Sequence, residues 1–89
     1  MQIEKSPSTV FNLLEDKTGV LLNLDTLIYY SLNRTGAAIW QQIEIEKQVT
    51  LDDLARYVCE QFAVDEASAR EHTRAFVDRL SDLKMIHAR

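Results

Sequence analysis

The sequence predicts a small α+β domain in which three strands are followed by three helices. Two runs of alternating β-prone residues, 20–24 and 28–32, follow a further apolar run at 10–14, and only short polar segments separate the three. Three segments with apolar residues at helical spacing come next. A chain of 89 residues has the length of one domain. Since neither the sheet nor the helices can bury an apolar face alone, a single α+β layer is the compact solution.

The strands are predicted to form an antiparallel meander. Residues 1–9 are polar and lack periodicity, so they are predicted to be a loose lead-in to a domain spanning residues 10–89. Residues 15–19 end in Gly19, as in a longer hairpin loop, and link the first two strands. The third strand, 28–32, follows a short turn, and connections this short join antiparallel neighbours.

The first helix is predicted to begin directly after the third strand. Asn33 is a favoured N-cap, and Ile39, Trp40 and Ile43 form an apolar stripe that belongs to the core. Gly36 costs helix propensity, so it predicts a close approach of another element. Residues 44–49 lack a buried-face pattern and are predicted to be a connection.

Two further helices follow. Thr50 and Asp53 resemble a capping box before an amphipathic second helix, and Asp65 is predicted to cap the third helix. Residues 84–89 form a short tail in which Met85 and Ile86 are expected to fold back onto the core.

The composition limits the function classes. A net charge of −4 works against phosphate binding, so nucleic acid is not an expected partner. No stretch approaches the roughly 20 apolar residues of a membrane span, and no signal peptide is evident, so no membrane partner and a cytoplasmic location are predicted. A single cysteine excludes an internal disulfide and a cysteine-based metal cluster.

The sequence offers no catalytic constellation. Cys59 with His72 or His87 is the one nucleophile and base combination that the residue types allow, but nothing supplies an oxyanion hole. The two histidines lack further ligands at metal spacing, and no phosphate-binding glycine loop exists. No catalytic residue, metal or cofactor is therefore predicted.

Three motifs resemble the PqqD-like family, whose members are also called RiPP recognition elements. The resemblance covers about residues 10 to 86, and its most specific part is the Leu-Asn-x-Thr-Gly-Ala segment beginning at Leu32. The motifs are Leu22-x-Leu24, Tyr30-x-Leu32-Asn33-x-Thr35-Gly36-Ala37-x-Ile39-Trp40 and Thr50-Leu51-x-x-Leu54-Ala55.

The resemblance implies a winged-helix-like fold and a binding function without chemistry of its own. Family members bind the leader segment of a ribosomally made precursor peptide, which pairs antiparallel with the third strand in a groove against the third helix. A separate leader peptidase or modifying enzyme then acts on the precursor. Residues 83–86 lack the Gly-Trp pair of the quinone-cofactor branch, so a lasso-peptide pathway is favoured.

The predicted peptide site joins the third strand to the third helix. An exposed strand edge offers unpaired main-chain groups to an extended peptide, and neighbouring pockets choose its side chains. Arg70, Arg74 and Arg79 are expected to meet acidic leader residues. The predicted peptide-binding residues are Leu27, Ile28, Tyr29, Tyr30, Ser31, Leu32, Arg70, Thr73, Arg74, Phe76, Val77 and Leu80.

Two other functions stay open at this point. A winged-helix DNA-binding regulator has a similar architecture, but residues 65–84 carry four Lys/Arg against five Asp/Glu, a poor phosphate surface. A PqqD-like partner of a radical enzyme in quinone-cofactor biosynthesis is the second alternative.

Overall fold

The computed structural model describes residues 2–88 and confirms the α+β class, with an antiparallel three-stranded meander and three helices. Met1 and Arg89 lie outside the described residues, and so do the parts of the predicted lead-in and tail that fall on them. The elements are β1 (Gln2–Lys5), β2 (Thr9–Leu13), β3 (Gly19–Asn23), β4 (Ile28–Leu32), α1 (Arg34–Glu46), β5 (Val49–Thr50), α2 (Leu51–Phe62), α3 (Glu66–Asp82) and β6 (Ile86–Ala88).

The strands form two antiparallel sheets. One has the order β2-β3-β4 and is the predicted meander, with β4 at one edge. The other has the order β5-β1-β6 and joins three segments for which the sequence predicts no strand. The prediction of a loose lead-in is therefore wrong for residues 2–5, which form the central strand of this second sheet. The predicted connection at 44–49 is wrong at both ends, since residues 44–46 continue α1 and Val49 begins β5, and the predicted tail contributes β6.

The sequence did not predict the second sheet because its strands are short and pair across long sequence distances. Ile3 is fully buried and pairs with Val49 and Ala88, but it is the single apolar residue of β1. One apolar residue gives no period to read. Met85 and Ile86 are buried, as the sequence predicts for the start of the tail.

Each helix begins at the predicted cap. The Asn33 side chain accepts a hydrogen bond from the Gly36 N–H at 2.8 Å. Thr50 and Asp53 form the reciprocal capping box at the start of α2, and the Asp65 carboxylate accepts from the Ser68 N–H at 3.1 Å. These side chains satisfy backbone donors that have no partner within the helix.

The core lies between the meander and the helices. Trp40 is fully buried at its centre, as predicted, and its ring centroid lies 6.5 Å from that of Phe11. Leu21 supplies the centre of β3, while Leu54 and Leu80 come from α2 and α3. The helices thus cover one face of the meander and leave the outer edge of β4 unpaired among residues 2–88.

Candidate functional site

The free edge of β4 presents the main chain of Tyr29 and Ser31. Just beyond the β2–β3 ladder, the Leu24 N–H donates to the Ser8 carbonyl at 2.9 Å and the Leu14 N–H to the Thr18 carbonyl at 2.8 Å. Hydrogen-bonded pairs alternate along an antiparallel ladder.

This alternation assigns the direction of every main-chain group in the meander. The even-numbered residues of β3 bond to β2, so the odd-numbered residues bond to β4 through Ile28, Tyr30 and Leu32. The N–H and C=O groups of Tyr29 and Ser31 therefore point away from β3, towards solvent. The side chain of Tyr29 is 70% exposed.

The turn before β4 is held by the buried side chain of Asn23. Its Oδ1 accepts hydrogen bonds from the N–H groups of Asp25 at 2.8 Å and Thr26 at 3.1 Å. Its Nδ2 donates to the Lys84 carbonyl at 2.9 Å, which joins the turn to the end of α3. Leu27 closes the turn in the left-handed region at φ 59°, with its side chain 71% exposed.

α3 runs antiparallel to β4, fixed at two points. At one end, Leu32 and Phe76 both lie within 3.5 Å of the place that a Cβ on Gly36 would occupy. At the other end, Asn23, which pairs with Ile28, bonds to Lys84. The helical part of this stretch, from Phe76 to Asp82, advances about 9 Å, and the four steps from Leu32 to Ile28 advance about 13 Å. The two contacts therefore give α3 and β4 opposite directions along this side of the molecule.

An apolar cleft of about 240 Å³ opens at the Phe76 end of this arrangement. Phe62 and Val64 stand partly exposed at its mouth. Thr73 is one of the residues that line the cleft, and its buried Oγ1 makes no hydrogen bond within residues 2–88. A buried hydroxyl without a partner is costly and is a ready donor or acceptor for a bound group. The lining residues are Asn33, Thr35, Gly36, Ile39, Val58, Phe62, Val64, His72, Thr73 and Phe76.

The structure gathers part of the predicted site on one surface. Leu27, Ile28, Tyr29 and Ser31 are exposed along β4, and Tyr30 is half-buried against the core. Phe76 is half-buried and lines the cleft between the helices.

Three predicted site residues belong to the core instead. Leu32, Val77 and Leu80 are buried, because they belong to the inward-facing sides of β4 and α3 that pack against the hydrophobic cluster. Their side chains are therefore not exposed to a peptide in this structure, and whether they contribute to peptide binding stays a prediction. Thr73 lies on the same buried stripe and reaches only the floor of the cleft.

Two of the predicted arginines lie away from β4 and have acidic neighbours. Arg70 forms an ion pair with Asp52 of α2, and Arg74 lies 3.7 Å from Asp78. Arg79 follows Phe76 by about one turn, so helical geometry places it on the same flank of α3 as Phe76. The exposed ends of Arg70 and Arg74 are thus partly neutralised, which does not favour a phosphate-binding surface on α3.

The sequence did not predict several of the residues that line the cleft. Val58, Phe62 and Val64 belong to the end of α2 and the loop behind it, and His72 to the flank of α3. Two large apolar residues at and after a helix end, Phe62 and Val64, were the available signal, since apolar side chains that remain partly exposed beside a groove often mark a binding site.

Residues 2–88 show no group of three or more His, Cys, Asp or Glu side chains placed to hold a metal ion. Over the same residues, no helix has the length and apolar character needed to cross a bilayer.

Comparison with known proteins agrees with the resemblance. The sequence model of the family described as Coenzyme PQQ synthesis protein D (PqqD) matches residues 18–86. The chain belongs to the PqqD family. The matched segment begins just before β3 and includes β4, the cleft and all three helices, so the site described above lies within the PqqD homology. No curated protein matches the chain.

Two solved structures share this PqqD-like fold. TbiB1 in complex with the TbiA(beta) leader peptide superposes with a TM-score of 0.85 at 23% identity, covering 97% of this chain and 96% of TbiB1. Lasso peptide synthetase B1 complexed with the leader peptide gives a TM-score of 0.80 at 22% identity, covering 97% and 98% of the two chains. Likeness at this identity establishes a shared fold over nearly the whole length, including the second sheet.

Proposed function

We propose that this PqqD-family protein binds the leader segment of a ribosomally made precursor peptide and delivers it to separate processing enzymes. The leader adds antiparallel to the free edge of β4 and lies against α3. The protein performs no chemistry itself. A lasso-peptide pathway, in which a separate peptidase removes the leader, is the favoured setting.

The observation that carries this proposal is the unpaired edge of β4 beside α3. Tyr29 and Ser31 offer two N–H and two C=O groups at a spacing that an added strand matches. The two structures that share the fold were each solved with a leader peptide bound. Main-chain pairing of this kind supplies affinity with little choice of sequence.

The cleft beside Phe76 determines which leader sequences bind. Its volume of about 240 Å³ suits one large side chain, and its lining combines apolar groups with the unpartnered Thr73 hydroxyl. A side chain that is apolar along its length and polar at its tip would satisfy both features. The site thus divides into a main-chain edge and one side-chain pocket.

The direct test is fluorescence anisotropy with the labelled leader of the short precursor encoded beside this chain's gene. We expect a dissociation constant between micromolar and nanomolar, about −8 to −12 kcal/mol. Absence of binding to every neighbouring leader at about 100 µM would remove the proposal.

A proline at Tyr29 tests the strand-addition mode. Tyr29→Pro removes an N–H that points away from β3, so the β3–β4 ladder keeps its hydrogen bonds. We expect leader affinity to fall at least about tenfold, because one main-chain hydrogen bond is lost and the ring obstructs the incoming strand. Anisotropy titration measures the loss.

Tyr29→Ala is the matched control for this substitution, since it removes the same side chain and keeps the amide. Equal affinities for the proline and alanine variants, with both folded by circular dichroism, would place the peptide elsewhere than the β4 edge.

The family description favours a second setting, a partner protein in quinone-cofactor biosynthesis. In that setting the partner would be a radical enzyme instead of a leader peptidase. Titration with both classes of leader decides between them, because tighter binding of the quinone-cofactor precursor would overturn the lasso assignment.

A further inference from the structure

The surface of α3 that faces β4 carries positive charge in an otherwise acidic protein. We define this flank as His72, Phe76, Arg79 and Leu83, which follow one another at helical spacing. Phe76 and Leu83 pack against the edge of the core, and Arg79 lies between them on the exposed side. The flank holds no carboxylate although the protein has a net charge of −4.

The facing strand adds no charge of its own. None of the five residues of β4, Ile28–Leu32, is charged. Arg79 is therefore the one permanent charge along the walls formed by β4 and this flank.

Arg79 also differs from the other two arginines of α3 in forming no ion pair among residues 2–88. Arg70 pairs with Asp52 and Arg74 with Asp78, whereas no ion pair to Arg79 forms within residues 2–88. Asp82 lies one turn further along α3, but its carboxylate does not reach the Arg79 guanidinium. A guanidinium beside an open groove is suited to a bidentate bond with a carboxylate.

We infer that Arg79 selects a peptide with an Asp or Glu at one defined position, an assignment that rests on the proposed leader binding. Arg79 lies about 4.5 Å beyond Phe76 along α3, and strand residues facing the same way repeat about every 6.6 Å. The flexible arginine side chain spans the difference. The selected acid is therefore two positions from the peptide residue over Phe76, in the direction of Lys84.

The direction of that offset reports the polarity of the peptide. Because Leu32 lies at the Phe76 end and Ile28 at the Lys84 end, an antiparallel peptide would carry the acid two residues C-terminal to the one over Phe76. A parallel peptide would carry it two residues N-terminal.

The test is a double-mutant cycle between Arg79→Gln and the peptide. The probe is the fluorescein-labelled leader of the neighbouring precursor, with each Asp or Glu replaced in turn by Asn or Gln. We expect Arg79→Gln to weaken binding about three- to tenfold at low ionic strength. One of the peptide substitutions should weaken binding to the natural protein by a similar factor. The same substitution should cause no further loss of affinity for the Arg79→Gln variant.

Arg56→Gln is the matched control, because it removes an exposed arginine, on α2 and outside the predicted site, that already has a carboxylate neighbour in Asp53. We expect its affinity to stay within about twofold of the natural protein. Salt of about 0.5 M should abolish most of the Arg79 effect and leave the remaining affinity in place.

The outcomes separate this inference from the proposed function. If the natural protein binds the leader tightly and Arg79→Gln does not weaken that binding, only the role of Arg79 is overturned. The same holds if no single substitution of a peptide carboxylate reproduces the loss of affinity caused by Arg79→Gln. Failure of the natural protein to bind any leader removes leader binding and the charge selection together.

Discussion

At the residue scale, Gly36 controls how closely α1 approaches α3. A Cβ at this position would lie 3.3 Å from both the Phe76 ring and the Asn33 carboxamide, which is tighter than ordinary packing allows. The same two groups line the cleft, and Asn33 is also the cap of α1. Gly36 therefore couples the stability of the helix start to the shape of the pocket.

We predict that Gly36→Val destabilises the protein by about 1–3 kcal/mol, although valine has the better helix propensity. The side chain must displace Phe76 or Asn33, so leader affinity should fall as well. Urea unfolding measures the first effect. Ala38→Val, at a half-buried position of the same helix, is the control, and an equal cost at both positions would mean that the close approach does not limit packing.

Asp65 links the start of α3 to pH. Hydrogen bonds from the Ser68 side chain and then from its N–H lower the pKa of this carboxyl below its ordinary value of 3.8. A lowered folded-state pKa means that the ionised form stabilises the fold. That contribution is fully present above 3.8 and is lost as the pH falls through the lowered value.

We therefore predict that lowering the pH below about 4 reduces the stability of the natural protein more than it reduces the stability of the Asp65→Asn variant. Asparagine keeps an oxygen acceptor for the cap but does not titrate. Urea midpoints from about pH 7 to about pH 3 give both curves, and their difference isolates this carboxyl from the other acids. Curves that stay parallel over that range would contradict the role of the ionised cap.

At the element scale, α3 has two differently used sides. Ala69, Val77 and Leu80 pack inward, while Phe76 and Arg79 lie on a neighbouring flank, where Phe76 approaches Gly36. Helical spacing groups Ala69, Thr73, Phe76 and Leu80 on one face, whereas the structure buries Val77 and leaves Phe76 half-buried. Spacing also could not say which flank of the helix would face β4. That choice depends on where Gly36 and Asn23 contact α3, and these contacts join segments 40 or more residues apart.

For the same reason, the sequence located the strand of the candidate site better than its helix. The alternation in residues 28–32 gave the strand its correct bounds, and the edge position followed from the order of the meander. Arg70 and Val77 were placed in the groove only because they lie on the right helix. Whether Leu27, Ile28, Tyr29 and Phe76 contact a peptide stays a prediction.

At the scale of the whole molecule, the second sheet joins the two ends of the described chain. β1 lies between β5 and β6, so residues near both ends and the connection before α2 meet on one side of the core. Ser6 and Thr9 continue this link, since the Ser6 N–H and the Thr9 hydroxyl each donate to the Met85 carbonyl at 3.0 Å. The segment that precedes the meander is thus part of the fold that holds α3 in position.

We predict that Ile3→Ala destabilises the protein by about 2–4 kcal/mol, because a fully buried branched side chain is removed from the centre of the second sheet. For a domain of this size that is a large share of a total stability of about 5–15 kcal/mol. Urea unfolding followed by circular dichroism measures it. Gln2→Ala, an exposed neighbour on the same strand, should change stability by less than about 0.5 kcal/mol. Equal, small losses of stability for both substitutions would mean that residues 2–5 are a loose lead-in. A large loss for Ile3→Ala alone would mean that this segment is a structural support for the groove between β4 and α3.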